Sequence, residues 1–138
     1  MTELAHFLYR SESEMPPNSD AARDLMAQAA RINGELHLTG FLHHEDGFFF
    51  QWLEGPLEPL DLIAGRLMRD PRHYGVTTLS RDQQAERRFN GWDMGYSTRA
   101  DRSILAWLAD HGVAPWDRRA YAAGVLSFLR ERSGQPEG

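Results

Sequence analysis

Apolar side chains along this chain fall into two rhythms, one of three-and-four spacing and one of short continuous or alternating runs, and the switches between them mark its elements. Residues 3–9, ending in Phe7-Leu8-Tyr9, predict a first strand, and Met15-Pro16-Pro17-Asn18 interrupts the chain before a helix capped by Asn18 or Ser19. Ala22, Leu25, Met26, Ala29 and Ile32 then line one helical face, which carries the helix to about Asn33. Asn33 lies on the same side, so it faces inward or caps the helix ahead of Gly34. Leu38 to His43 predicts a second strand, Glu45-Asp46-Gly47 a tight Asp-Gly turn, and Phe48 to Leu53 an antiparallel return. Pro59 opens a second helix with the face Leu60, Ile63, Ala64, Leu67 and Met68, ending near Asp70-Pro71. Val76 to Ser80 and Arg88 to Tyr96 read as two further strands.

The order strand, helix, strand, strand, helix, strand, strand predicts an α+β fold: a ferredoxin-like, mixed five-stranded sheet with both helices on one face. Within the central strand Phe49 and Leu53 share parity with Gln51, while Phe48, Phe50 and Trp52 point the other way, so both sheet faces need cover. From about Asp101 the pattern changes. Ile104, Trp107, Leu108 and His111 suit one short helix, and Tyr121, Val125, Phe128 and Leu129 another, with Pro115 between them. This pair is expected to cover the second face, and a partner to dock there or along Trp107. The expected division is a domain over 1–97, a helical extension over 98–132 and a disordered tail over 133–138.

Composition excludes several functions. With 138 residues, 41% hydrophobic, the chain suits one domain with a real core. A net charge of −5 argues against sequence-independent binding to a nucleic-acid backbone. The absence of cysteine rules out disulfides, thiol nucleophiles and thiolate metal sites. No run approaches a membrane span, and Met1-Thr2-Glu3 lacks the basic start of a signal peptide, which points to the cytoplasm. His43-His44 makes a poor chelate, because neighbouring strand residues face opposite ways, and is expected at the solvated surface. Glu54 and Asp46 do not form a paired-carboxylate site, and neither a Walker loop nor a dinucleotide fingerprint occurs.

The central strand also carries the chemistry. Gln51 is an amide in an apolar strand, and an unmatched amide there costs about 1–3 kcal/mol. Something polar must meet it. Tyr9 and Asn33 fall at the ends of apolar runs, and three such groups point to a buried polar ligand; one that is flat, largely apolar and edged with acceptors would suit them. A flavin ring has that shape.

At this point the sequence resembles the BLUF family of blue-light sensors that use flavin adenine dinucleotide. The blocks that carry the resemblance are Tyr9-Arg10-Ser11, Asn33 followed by Leu38-Thr39-Gly40, Gly47 through Gly55, Arg69-Asp70-Pro71-Arg72-His73, and Arg88-Phe89-Asn90-Gly91-Trp92-Asp93-Met94. They span roughly residues 3 to 97. The resemblance implies a Tyr9–Gln51 hydrogen-bond chain to the flavin edge and Asn33 on the pyrimidine side of the ring. It sets Leu25 and Leu67 on either face, with Ala29, Ile32 and Asp70 also lining the site and Arg72 and His73 near the phosphate-bearing tail. FAD is the implied cofactor, with FMN or riboflavin as substitutes. The implied light reaction moves an electron and a proton through the Tyr9–Gln51 chain and returns them, leaving the amide rearranged by rotation or tautomerism. Trp92 and Met94 share parity on the expected strand, so both are candidates to relay the change. Ile32 stands where many members carry a polar residue and Ala29 where a hydroxyl is common, which puts flavin affinity or recovery rate in doubt.

Each residue also has a plainer reading: Gln51 a satisfied core amide, Asn33 a helix cap, Arg72 and His73 a solvated turn, Trp92 and Met94 core. The functional expectation is a stand-alone, non-enzymatic photoreceptor that signals to a separate partner protein and self-associates as a homodimer. The rival is a light-insensitive or redox-responsive flavin adaptor on the same fold. An acylphosphatase-like hydrolase would need a phosphate-cradling loop after the first strand, and Ser11 to Pro17 lacks the glycines.

Overall fold

A computed structural model describes residues 3–134. The elements run β1 (Leu4–Glu12), α1 (Asp20–Leu36), β2 (Thr39–Glu45), β3 (Phe48–Pro56), α2 (Leu57–Arg69), β4 (Tyr74–Gln84), β5 (Gly95–Thr98), α3 (Ile104–Asp110) and α4 (Arg118–Ser133). Their order is the one the apolar rhythms predict. One mixed sheet contains all five strands in the order β4-β1-β3-β2-β5, antiparallel throughout except for the β2–β5 pair. Asp46 and Gly47, at φ 48° and 86°, close the β2–β3 hairpin in the left-handed region that this tight turn requires.

Parity along β3 sorts the core into two layers. Leu53 packs with Phe7, Tyr9, Leu60, Ile63 and Ala64 under α1 and α2. Phe50 and Trp52 pack with Phe41, Trp107, Val125, Phe128 and Leu129 under α3 and α4. The carboxy-terminal helices therefore cover the second sheet face, as expected. Each fully buried apolar side chain of these layers contributes about 1.5–3 kcal/mol.

Several boundaries and exposures differ from the sequence reading. The stretch from Arg88 to Tyr96 is strand only from Gly95 onward. Gly91 adopts φ 84° and Trp92 N–H turns back to the carbonyl of Phe89, so the chain cannot stay extended. Helix α1 does not end at Asn33; it continues to Leu36 and is capped by His37 in the left-handed region. Helix α2 starts at Leu57, ahead of Pro59, and Met68 turns outward. Trp107 is core, its indole N–H donating to Glu131 at 3.2 Å, so it offers no docking surface. Helix α4 runs through Ser133 with Gly134 as its cap, and the rest of the expected tail, 135–138, lies outside the described residues.

The largest departure concerns His43 and His44, which are fully buried rather than solvated. They do face opposite ways. His43 Nε2 donates to Glu45 at 2.9 Å and Nδ1 accepts from Ser97 at 2.7 Å, while its ring meets Phe128 edge-on. Glu45 also accepts from Ser103 and from the backbone N–H of Ile104, both at 2.7 Å, which ties β2 to the start of α3. His44 sits on the other face beside Phe49 and Tyr96. On β1, His6 stacks on Trp52 at 4.2 Å and bonds Gln84 and Ser80.

Burial pushes all three imidazoles below their ordinary pKa, against the opposing pull of Gln84 on His6 and Glu45 on His43. The folded protein therefore holds them neutral while the unfolded chain takes up protons below about pH 6.5. Stability is then full above the ordinary histidine pKa and falls as pH drops through it, by up to about 1.4 kcal/mol per pH unit for each histidine. The urea midpoint is expected to decline steadily between about pH 7 and 5. An unchanged midpoint across that range would contradict this account.

Candidate functional site

Register builds the site. Antiparallel pairing sets Tyr9 of β1 directly opposite Gln51 of β3, and Leu42 of β2 flanks Gln51 from the other side. All three point to the face under α1 and α2. The Tyr9 hydroxyl donates to Gln51 Oε1, and Gln51 Nε2 donates to Met94 Sδ at 3.5 Å. The amide is thus held firmly at its oxygen end and loosely at its nitrogen end, since a thioether is a weak acceptor. Burial, and then the nearby Asp70 charge, push the Tyr9 phenol far above its ordinary pKa. Tyr9 keeps its proton.

Above this floor, α1 and α2 leave a cleft of about 200 Å³. Leu25, Ala29 and Ile32 of α1 form one wall and Ile63 and Leu67 of α2 the other, with Asn33, Gln51 and Met94 supplying its inner polar and thioether edge. A smaller void of about 50 Å³ shares the Gln51 and Leu67 walls and reaches Tyr9, Leu42 and Phe49. Asn33 is buried, and its Nδ2 donates to the carbonyl of Asp93 at 2.8 Å. It anchors the loop that carries Met94 instead of capping its helix.

Arg72 lies at the mouth. Its guanidinium takes the Asp70 carboxylate in a fork of 2.6 to 3.1 Å and reaches Gln28 of α1 at 2.9 Å, so it ties the α2–β4 turn to α1. Arg72 holds the Asp70 carboxyl below its ordinary range, and Asp70 raises the guanidinium. His73, by contrast, is turned inward: Nε2 donates to the Leu67 carbonyl at 2.6 Å and Nδ1 accepts from Ser11 at 2.7 Å. Both nitrogens are engaged, and its ring supports Tyr9 edge-on at 5.7 Å.

Trp92 and Met94 do not share a side. Trp92 is 37% exposed, and its ring meets Phe41 edge-on at 5.8 Å on the opposite sheet face. Only Met94 reaches Gln51, because residues 85–94 form a tethered loop and not a strand. Arg87 donates to His37 and Thr39, Gly40 N–H donates to the Trp92 carbonyl, and Asn33 holds Asp93. A Cβ on Gly40 would come 2.1 Å from the Trp52 carbonyl, so only glycine lets β2 lie this close to β3 at the point where the loop is tethered.

The sequence reading missed Gln28 and Arg66 at the cleft and Glu54 behind it. Gln28 follows Leu25 by one helical turn, a spacing that could have revealed it. Nothing in the sequence announces the Asp93 carbonyl as a partner for Asn33. Among the described residues no cluster of side chains suits a metal ion, and no helix is long and apolar enough to cross a membrane.

The donor set and shape fit a flavin: two apolar walls a ring can slide between, amides of Gln51 and Asn33 at its inner edge, and a cationic mouth. Comparison with known proteins agrees. A family model described as sensors of blue-light using FAD matches residues 4–95. The chain belongs to the BLUF family. Among BLUF relatives, the blue light- and temperature-regulated antirepressor of Escherichia coli (strain K12) is 34% identical over 92% of this chain and 32% of its own length. A photoactivated adenylate cyclase subunit beta from Euglena gracilis is 29% identical over 98% of this chain and 17% of its own. The chain therefore spans a third or less of these curated relatives. The dark-state structure of BlrB, a BLUF protein, superposes with a TM-score of 0.75 at 25% identity, covering 94% of this chain and 99% of that one. The BLUF domain of BlrP1 does so with 0.70 at 29% identity, covering 94% and 91%.

Proposed function

We propose that this BLUF chain binds FAD non-covalently in the α1–α2 cleft, senses blue light through the Tyr9–Gln51–Met94 series, and passes the signal to protein outside its own flavin-binding unit. The observation that carries the reading is the pairing of a fully buried, protonated phenol with a buried amide that also contacts a thioether. Bound flavin supplies blue-light absorption and an excited state that draws on a neighbouring electron and proton donor. The chain's part is to hold the rest in place. Leu25, Ala29, Ile32 and Leu67 grip the ring and exclude water. Asn33 faces its edge, and Arg72 offers its charge to the phosphates, which favours FAD or FMN over riboflavin. Tyr9 holds its proton at Oη toward Gln51 Oε1. Turned over, the same amide would present Nε2 to Tyr9 and its oxygen to Met94, reversing donor and acceptor with little change in volume.

The route out begins at Met94, which directly precedes β5. Ser97 of β5 bonds His43, His43 bonds Glu45, and Glu45 holds the first turn of α3. Coupling of about 1.4–2.7 kcal/mol, one or two hydrogen bonds, changes a partner's affinity ten- to a hundredfold. The exposed apolar side chains Leu105 and Trp116 on the α3–α4 side support self-association as part of this reading.

The test is the visible absorption spectrum before blue light, immediately after it and during recovery, followed by release and chromatography of the flavin. The expected result is a reversible shift to longer wavelength with FAD released. Bound flavin with no shift would leave a constitutive or redox module, and no flavin after reconstitution would sink the reading.

A further inference from the structure

We propose that the seam between α4 and β4, on the sheet face away from the flavin cleft, is a docking groove for an acidic, extended segment of a partner protein. A groove of about 430 Å³ runs there, with Leu79, Ala122 and Leu126 as its apolar part and Arg88, Arg118 and Arg119 around it. Three arginines gathered at one groove set its charge. The chain has fifteen cationic residues, all arginine, and a net charge of −5. Five arginines elsewhere meet carboxylates, Arg23 with Asp20, Arg72 with Asp70, Arg81 with Asp61, Arg99 with Asp46 and Arg102 with Glu131, while Arg10 and Arg87 meet neutral oxygens. The guanidinium groups of Arg88, Arg118 and Arg119 make no hydrogen bond or ion pair among the described residues.

Their placement also runs against local electrostatics. Arg118 and Arg119 occupy the first turn of α4, where the positive end of the helix dipole disfavours cations by about 0.3–1 kcal/mol each. The nearby carboxylates do not relieve them: Asp117 caps the helix by accepting from Ala120, and Asp82 accepts from Gln83. An incoming carboxylate would. Arginine suits that role, because its planar fork takes a carboxylate in two bonds.

A second, independent feature fixes the form of the occupant. Strand β4 is an edge of the sheet, paired with β1 alone, so one row of its backbone N–H and C=O groups is open over Tyr74–Gln84. An extended segment laid along that row adds a strand, and alternate side chains drop to one side. A carboxylate then reaches Arg118 or Arg119, an apolar residue enters between Leu79 and Leu126, and a further carboxylate reaches Arg88. Flavin chemistry plays no part in this recognition.

The experiment is an NMR titration of the isotope-labelled full chain with an acetylated, amidated octapeptide, Asp-Glu-Leu-Asp-Phe-Glu-Asp-Glu, at low salt. The expected result is saturable shifts confined to residues 77–88 and 118–126. Binding should be weakened roughly tenfold or more in R118E/R119E and by about 0.5 M salt. The double variant should keep its flavin absorption and helical circular dichroism, which separates loss of docking from loss of fold. No shifts, shifts centred on the flavin cleft, equal binding by R118E/R119E, or equal binding of the peptide with lysine for each acid would overturn the proposal. So would two other occupants: oligothymidine binding the seam where the peptide does not, or concentration-dependent broadening of the same residues without peptide, which would assign the groove to a second copy.

Discussion

Gln51→Leu is expected to retain bound flavin and lose the reversible light-induced spectral shift completely. Leucine nearly matches glutamine in volume, and Leu25, Ala29, Ile32 and Leu67 still grip the ring from both sides, so the cleft keeps its shape. What disappears is the acceptor for Tyr9 Oη and the donor to Met94 Sδ. The phenol of Tyr9, 2% exposed, is then left without its partner at a cost of about 1–3 kcal/mol, partly offset by the better burial of leucine. Light absorption is a property of the ring and survives; the shift requires two arrangements of one amide and cannot. Tyr9→Phe should behave alike, because the amide would remain but lose the only hydroxyl that distinguishes its ends. The readout is the light-minus-dark difference spectrum at matched flavin occupancy. A normal, reversible shift in Gln51→Leu would remove the amide from the mechanism.

The visibility of that pair in the sequence, and the invisibility of much around it, has a physical origin. Gln51 stood out because an amide in a strand of Phe, Trp and Leu must be matched, and parity set it on the same side as Phe49 and Leu53. The hairpin was legible because Asp46-Gly47 demands left-handed backbone, and the two helices because their stripes repeat over more than two turns. Trp92 was misjudged because an apolar alternation over a few residues does not reveal a loop pinned by long-range bonds: Gly91 turns it, and Arg87, Gly40 and Asn33 hold it. His43 and His44 misled for a related reason. Histidine is intermediate in burial preference, and nothing local announces that Ser97 and Glu45 will satisfy one ring inside the core. His73 sits beside the mouth in sequence yet turns inward, since Ser11 and the Leu67 carbonyl meet its two nitrogens.

The largest structural effect is expected at Glu54, a fully buried carboxylate that the sequence offered only as an unpaired acid. Five donors converge on it: Thr39 Oγ1, Trp52 Nε1, Gln84 Nε2 and the backbone N–H groups of Arg88 and Phe89, at 2.7 to 3.0 Å. It joins β3 to β2, to the end of β4 and to the loop that ends at Met94. Glu54→Ala leaves all five donors unmatched beside a cavity. Single unmatched donors cost about 1–3 kcal/mol, but some would recover water, so a loss of about 3–5 kcal/mol is expected. Against a total stability of about 5–15 kcal/mol, that lowers Tm by roughly 10–20 °C. Glu54→Gln keeps the shape and one acceptor oxygen but turns an NH₂ toward donors, and should fall between. The discriminating measurement is thermal unfolding of the three proteins together with the difference spectrum of Glu54→Gln. If loop anchoring by Glu54 positions Met94, recovery after light should change in that variant although the residue never touches the flavin cleft; a Glu54→Ala protein within about 1 kcal/mol of the parent would show that the five bonds carry little net stability.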